Sequence, residues 1–234
     1  MKISITVDME HDCLSAPKTY RGVVDGTPVL LRLFAERGIK ATFFTTGEVA
    51  RLFPDTVRAI VAGGHELGCH GDSHARFSAI GPDAARQEID DATRTLRAFF
   101  PLTSFRAPNL DFPNAYLPFL RDAGYRLDSS QARYKRGTIF GRPSVAEGMV
   151  RIPVSTMPSV VRLPRPARRA VFAWLKDPVV LYFHPWEFVD MTQADIPYDC
   201  RFNTGEPATR SLEDAIGYFA ARGASFQTMR ELAA

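Results

Sequence analysis

A chain of 234 residues with 45% hydrophobic content can bury one large core, and α/β barrels reach this size undivided, so residues 1–234 are expected to form a single domain. The net charge of +3 is too small to dictate an anionic partner, and no run approaches the ~18 apolar residues that would cross a bilayer. Cys13, Cys69 and Cys200 are odd in number, widely spaced and without a CxxC pair, which suggests neither a disulfide framework nor a zinc ribbon and fits a reducing compartment.

Taken in chain order, Lys2 to Val7 alternates as a strand does and lacks the apolar core of a signal peptide, giving the expectation of a cytoplasmic protein. Thr27 to Arg37 sets Val29, Leu30, Leu33 and Phe34 on one stripe, which predicts a helix. Strand-like runs follow at 41–45, 65–69, 104–106, 124–128, 149–154, 179–183 and 224–226. Helical patterns fill most of the gaps between them. Pro82 to Phe100 starts with proline and acidic residues, and Ser211 to Arg222 ends before Gly223. Short apolar strands separated by amphipathic helices predict a parallel sheet, and seven or eight such units predict a closed or nearly closed barrel. No glycine-rich phosphate-binding fingerprint is present.

Charge is distributed unevenly. Between Arg133 and Lys176 ten basic residues stand against the single Glu147, a local balance of +9, so the remainder of the chain is acidic. Within this block, residues 164–176 predict a short cationic and aromatic helix able to rest on an anionic inner leaflet without spanning it. Nucleic acid is not an expected partner, because no zinc-finger spacing or RNA-binding aromatic motif accompanies the charge.

The groups that carry chemistry fall at the C-terminal ends of the predicted strands: Asp8 after the first, His70 after 65–69, Arg106 and Asp128 on the next two, and His184 after 179–183. In a parallel barrel these ends share one rim. His70 and His74, three residues apart, can reach one divalent ion; Asp8 or Glu10 can complete a three-ligand set with open positions for water and substrate. His65 reads as a strand support, and Asp72 and Ser73 as turn caps.

Six ordered motifs resemble the polysaccharide deacetylase superfamily, which includes chitooligosaccharide deacetylases. They are Thr6-Val7-Asp8-Met9-Glu10, Ala41-Thr42-Phe43-Phe44, Gly64-His65-Glu66 leading to His70-Gly71-Asp72-Ser73-His74, Phe105-Arg106-Ala107-Pro108, residues Tyr125 to Ser130, and residues Leu181 to Glu187. The resemblance implies a distorted (β/α) barrel of about seven parallel strands and one divalent metal, zinc in the first place, with cobalt or another ion as alternatives. It also implies Asp8 as catalytic base, His70 and His74 as metal ligands, Arg106 as the residue orienting Asp8, and His184 as the acid for the departing amine.

Many members carry adjacent aspartates where this chain reads Asp8-Met9-Glu10. The D-x-D or D-x-E form is similar to a branch with cytosolic deacetylases, allantoinase-like enzymes and deformylases of lipid-linked aminoarabinose. Glu10 is therefore the expected third ligand, on the same strand face as Asp8, with Asp12 or His11 as substitutes if the strand turns early. A neighbouring carboxylate, Asp128 or Glu187, would raise the pKa of His184. Trp186, Glu187 and Pro108 are the candidate substrate contacts, Trp186 as a sugar-stacking ring or as core filling.

The implied reaction is amide hydrolysis, in which the ion polarises the acyl oxygen and draws the pKa of water towards ~7. The substrate expected is an N-acetylated or N-formylated amino sugar, free or carried on a lipid phosphate. The rivals are a cyclic ureide or imide, and a catalytically silent carbohydrate-binding barrel.

Overall fold

The computed structural model describes residues 1–13, 18–135 and 142–234. Among the described residues nine strands build one sheet: β1 Lys2–Met9, β2 Thr42–Thr45, β3 Glu66–Cys69, β4 Ser104–Phe105, β5 Leu127–Asp128, β6 Ser144–Ala146, β7 Met149–Arg151, β8 Val179–Phe183 and β9 Ser225–Phe226. The order is β6-β7-β5-β4-β3-β2-β1-β8, with β9 beside the start of β1. Every pairing is parallel except β6 with β7. The seam between the two ends is bridged just past β7, where Ser155 donates its N–H to Val180 O at 2.8 Å and Val180 N–H donates to Ser155 Oγ at 2.9 Å. The distorted barrel of about seven parallel strands is borne out.

Alternation along β1 separates two environments. Ile3, Ile5, Val7 and Met9 join the apolar cluster under the helices, with Leu30, Phe34 and Phe43. Ser4, Thr6 and Asp8 face the barrel interior, where Thr6 and Asp8 both accept from Arg106. That interior is polar: buried Glu66 accepts from Thr42, Ser104 and the Arg230 N–H.

Several predicted boundaries move for local reasons. The run at 149–154 stops at Arg151, because Pro153 has no N–H to continue the ladder. The run at 124–128 shrinks to Leu127–Asp128, its first residues closing the turn after the helix Leu117–Asp122, with Gly124 at φ 85°. β6 was not predicted. It pairs with β7 through a two-residue turn in which Glu147 and Gly148 both take positive φ, 49° and 75°.

Thr27–Arg37 is helical as predicted. The helix from Pro82 ends at Leu96. The helix predicted from Ser211 begins five residues earlier, at Glu206, because Pro207 supplies a first-turn proline, and it ends at Ala220. The cationic segment is helical over Arg165–Phe172. No helix among the described residues is long and apolar enough to cross a membrane.

Candidate active site

β1 delivers Asp8 from its last turn of pleat and Glu10 just beyond its end. β3 delivers His70, and a tight loop returns His74 to the same point. Gly71 and His74 both take positive φ in this loop, 75° and 67°. The loop is held from outside: Glu88 accepts from the N–H groups of Asp72 and Ser73 and from Ser73 Oγ, and Arg51 forks onto Asp72 at 2.7 and 2.9 Å. Asp72 and Ser73 are thus turn anchors. His65 packs against Phe34 and Phe43 and accepts the Ala41 N–H, a strand support. Burial pushes its pKa down to about 4.

Glu10, His70 and His74 bring one donor atom each within 4.8 Å of one another. Glu10 Oε2 lies 3.1 Å from His70 Nε2 and 2.5 Å from His74 Nε2. His70 Nδ1 lies 2.7 Å from the Arg106 carbonyl, which can only accept, so Nδ1 carries the hydrogen and a neutral ring turns the Nε2 lone pair towards the carboxylate. Two imidazole nitrogens and a carboxylate oxygen aimed at one point fit a divalent cation. Burial acts to raise Glu10, but the adjacent imidazoles, His74 first and then His70, override it when they carry protons and hold the carboxyl well below its usual range.

Flanking this cluster are two pairs, Asp8 with Arg106 and His184 with Glu187. Arg106, fully buried, donates to Asp8 Oδ1 and Thr6 Oγ1, both at 2.7 Å, and to Ser129 Oγ at 3.0 Å, with Phe44 4.2 Å away under its guanidinium. On the other side, His184 Nδ1 lies 3.1 Å from Glu187 Oε1, and its Nε2 faces Glu10 Oε1 at 3.8 Å. Burial alone would lower His184, yet the bond to Glu187 and the charges of Glu10, Glu187 and Asp8 raise its pKa to about 9.

A cavity of about 260 Å³ lined by Asp8, Glu10, His70, His74 and His184 continues into a second of about 290 Å³ lined by His184, Trp186, Met157 and Arg162.

Three expectations need correction. Asp128 does not support His184: its carboxylate takes Arg151 Nε at 2.8 Å and the Ser130 N–H at 3.0 Å, leaving Glu187 as the histidine's partner. Glu187 is not a substrate contact, since it is wholly buried between His184 and Arg162 Nε, the latter 2.9 Å from Oε2. Pro108 is also buried and does not line either cavity; Asn109, the next residue, lines both. Trp186 is largely buried, 4% exposed and stacked on His184 with ring centroids 5.0 Å apart, and it forms part of the cavity wall.

Comparison with known proteins bears on the same residues. Residues 3–127 match the family model for polysaccharide deacetylase, more than half of the chain. The chain belongs to the polysaccharide deacetylase family. Similar curated relatives include a chitooligosaccharide deacetylase of Sinorhizobium fredii, 35% identical over 96 residues that make up 39% of this chain and 45% of the relative. Another is a peptidoglycan deacetylase of Helicobacter pylori, 33% identical over 110 residues, 45% of this chain and 36% of the relative. The matches thus span less than half the length of either relative. The family 4 carbohydrate esterase of Streptomyces lividans, solved with acetate, shares the fold at TM-score 0.63 and 16% identity, over 96% of this chain and 91% of that one.

Asp8, Glu10, His70, His74 and Arg106 lie inside the family match; Asp128, His184, Trp186 and Glu187 lie beyond it. So do three residues that sequence reasoning missed. Tyr134 and Tyr182 join hydroxyls at 2.6 Å over the cavity. Tyr182 carried a signal, since alternation in β8 puts it on the same face as His184. Arg162 carried none, standing in the basic block as one arginine among many. That block is not one surface: Arg151, Arg162 and Arg168 are buried, and Arg165, Arg168 and Arg169 all pair with Asp214. Arg136 lies outside the described residues.

Proposed function

We propose that this chain hydrolyses the amide of an N-acylated amino sugar with a divalent ion at Glu10, His70 and His74. The observation that carries this reading is the placing of a buried Asp8–Arg106 pair and a half-buried His184 on buried Glu187 around one cavity with that three-donor cluster. The ion, zinc by the softness of two imidazoles and one carboxylate, would polarise the acyl carbonyl and lower the pKa of water.

The protein supplies the proton transfers. Arg106 occupies Asp8 Oδ1, which leaves Oδ2 to take a proton from the attacking water. Glu187 fixes His184 through Nδ1, so that Nε2 can give its proton to the departing amine. A cation beside Glu10 would cancel that carboxylate's share of the raised His184 pKa, whereas the share from Glu187 would remain.

The names of the relatives support an N-acetylated sugar polymer or oligomer as substrate class. The D-x-E arrangement and the exposed face formed by Trp174, Arg142 and Lys176 support a narrower version: an acetyl or formyl group on a sugar carried by a lipid phosphate, handled at the inner membrane surface of the cytoplasm. A silent barrel is disfavoured by the presence of every member of the proposed machinery.

The test is release of acetate or formate from N-acetyl and N-formyl amino sugars, free and lipid-phosphate-linked, by chelator-stripped and zinc-restored protein. Release that requires metal and fails in Asp8→Asn is expected. Turnover of cyclic ureides or imides with none on any sugar would replace the substrate class, and turnover unaffected by Asp8→Asn would remove the mechanism.

A further inference from the structure

Cys13 and Cys200 are 187 residues apart in sequence, yet their sulphurs lie 2.9 Å from each other. Both are half-buried and both line the outer cavity beside His184 and Trp186. Cys13 stands three residues after Glu10, on the loop that leaves β1; Cys200 stands in the short helix Tyr198–Arg201. We propose that Cys13 and Cys200 are a modification site, a thiol pair that an organic disulfide of the glutathione class oxidises to an internal disulfide bridging the two sides of the cleft mouth. The third cysteine, Cys69, is wholly buried in the core and is not part of it.

The contact sits where a covalent link would matter. Arg162 donates from Nη1 to Cys200 O at 3.0 Å and to Phe202 O, and from Nη2 to Asp199 O at 2.8 Å, while its Nε faces Glu187. The helix bearing Cys200 is thereby tied to the partner of His184, and the segment bearing Cys13 continues directly from Glu10. A bridge would join those two halves of the cleft by a bond instead of a thiol contact.

The chemistry closes without any further reactant. The Cys200 thiolate attacks one sulphur of the organic disulfide, forming a mixed disulfide and expelling one thiolate. Cys13, giving up its proton, then attacks the Cys200 sulphur and expels the second. Two electrons pass from the cysteines to the reagent, and two protons end on the thiols released. The S–H that Cys13 directs at Cys200 holds the Cys200 thiol below its usual range and raises Cys13, which supports this order of attack.

The experiment uses the full chain equilibrated in reduced or oxidised glutathione, quenched with acid, alkylated, and read by intact mass, non-reducing peptide mapping and thermal melting. The expected oxidised product is two hydrogens lighter, takes up one alkyl group instead of three, and yields a linked peptide pair containing Cys13 and Cys200. Its Tm should rise by ~5–10 °C, the effect of closing so long a loop in a protein of this size. Cys13→Ser and Cys200→Ser should show neither change. Glutathione adducts without an internal bridge, three alkylated thiols in oxidised buffer, a bridge through Cys69, or a bridge with unchanged Tm would each overturn the proposal. None of these readouts requires turnover, so they stand or fall apart from the hydrolase reading.

Discussion

The strand-end half of the site and the wall facing it are built differently. Asp8, Glu10, His70 and Arg106 stand on or directly after paired strands, where register fixes each side chain. Arg162, Trp186, Glu187 and Cys200 stand in short helical turns and loops between residues 157 and 203, held by side-chain ties such as the three carbonyls on Arg162. The family match also divides here, ending at residue 127. The three-donor cluster thus rests on strand register, whereas the Glu187 partner of His184 rests on a wall with its own hydrogen-bonding framework.

Substitutions on the two sides should differ in effect, and the largest effects should fall on the strand ends. Glu10→Gln and His70→Ala should each lower kcat/KM by on the order of 10³-fold or more, with metal content by elemental analysis falling in parallel. Arg106→Met should destabilise the protein by about 3–5 kcal/mol in chemical denaturation, because it leaves Asp8 buried beside no positive partner; a smaller loss would mean that Asp8 is not held as the rim requires.

On the wall, Arg162→Met should lower kcat ~10–100-fold through a loosened Glu187–His184 pair while KM changes little, and Arg162→Lys should recover part of it. An equal change in kcat and stability with no recovery by lysine would make Arg162 merely structural.

Two smaller effects complete the series. His65 is held neutral in the folded barrel with its pKa near 4 against 6.5 when free. The unfolded chain therefore binds the extra proton first, and stability should fall as pH drops from about 6.5 to about 4, by about 3 kcal/mol, and then level off. His65→Asn keeps an acceptor for the Ala41 N–H and should flatten that slope. Trp186→Phe should raise KM a few-fold with kcat nearly unchanged; a fall in kcat instead would assign the ring to the positioning of His184.

Much of the strand-end half could be read from sequence, because period-two alternation and strand-end position are local properties. Residues 179–183 and 27–37 appear with the predicted bounds, and β1 runs far enough to put Met9 in the core and Asp8 on the inner face. The wall could not be read in the same way. Arg162 reaches Glu187, and Cys13 reaches Cys200, across chain separations that no spacing rule spans. Counting three scattered cysteines argued against a pair that the fold brings together. Asp128 stood at a strand end like the others, yet Arg151 from the neighbouring β7 claims its carboxylate.

Calorimetric titration of zinc into chelator-stripped protein asks whether Glu10, His70 and His74 form a cation centre. The unmodified chain should bind one equivalent, and binding should weaken at least 100-fold in His70→Ala and in Glu10→Gln. No binding by the unmodified chain, or binding that survives both substitutions, would contradict it.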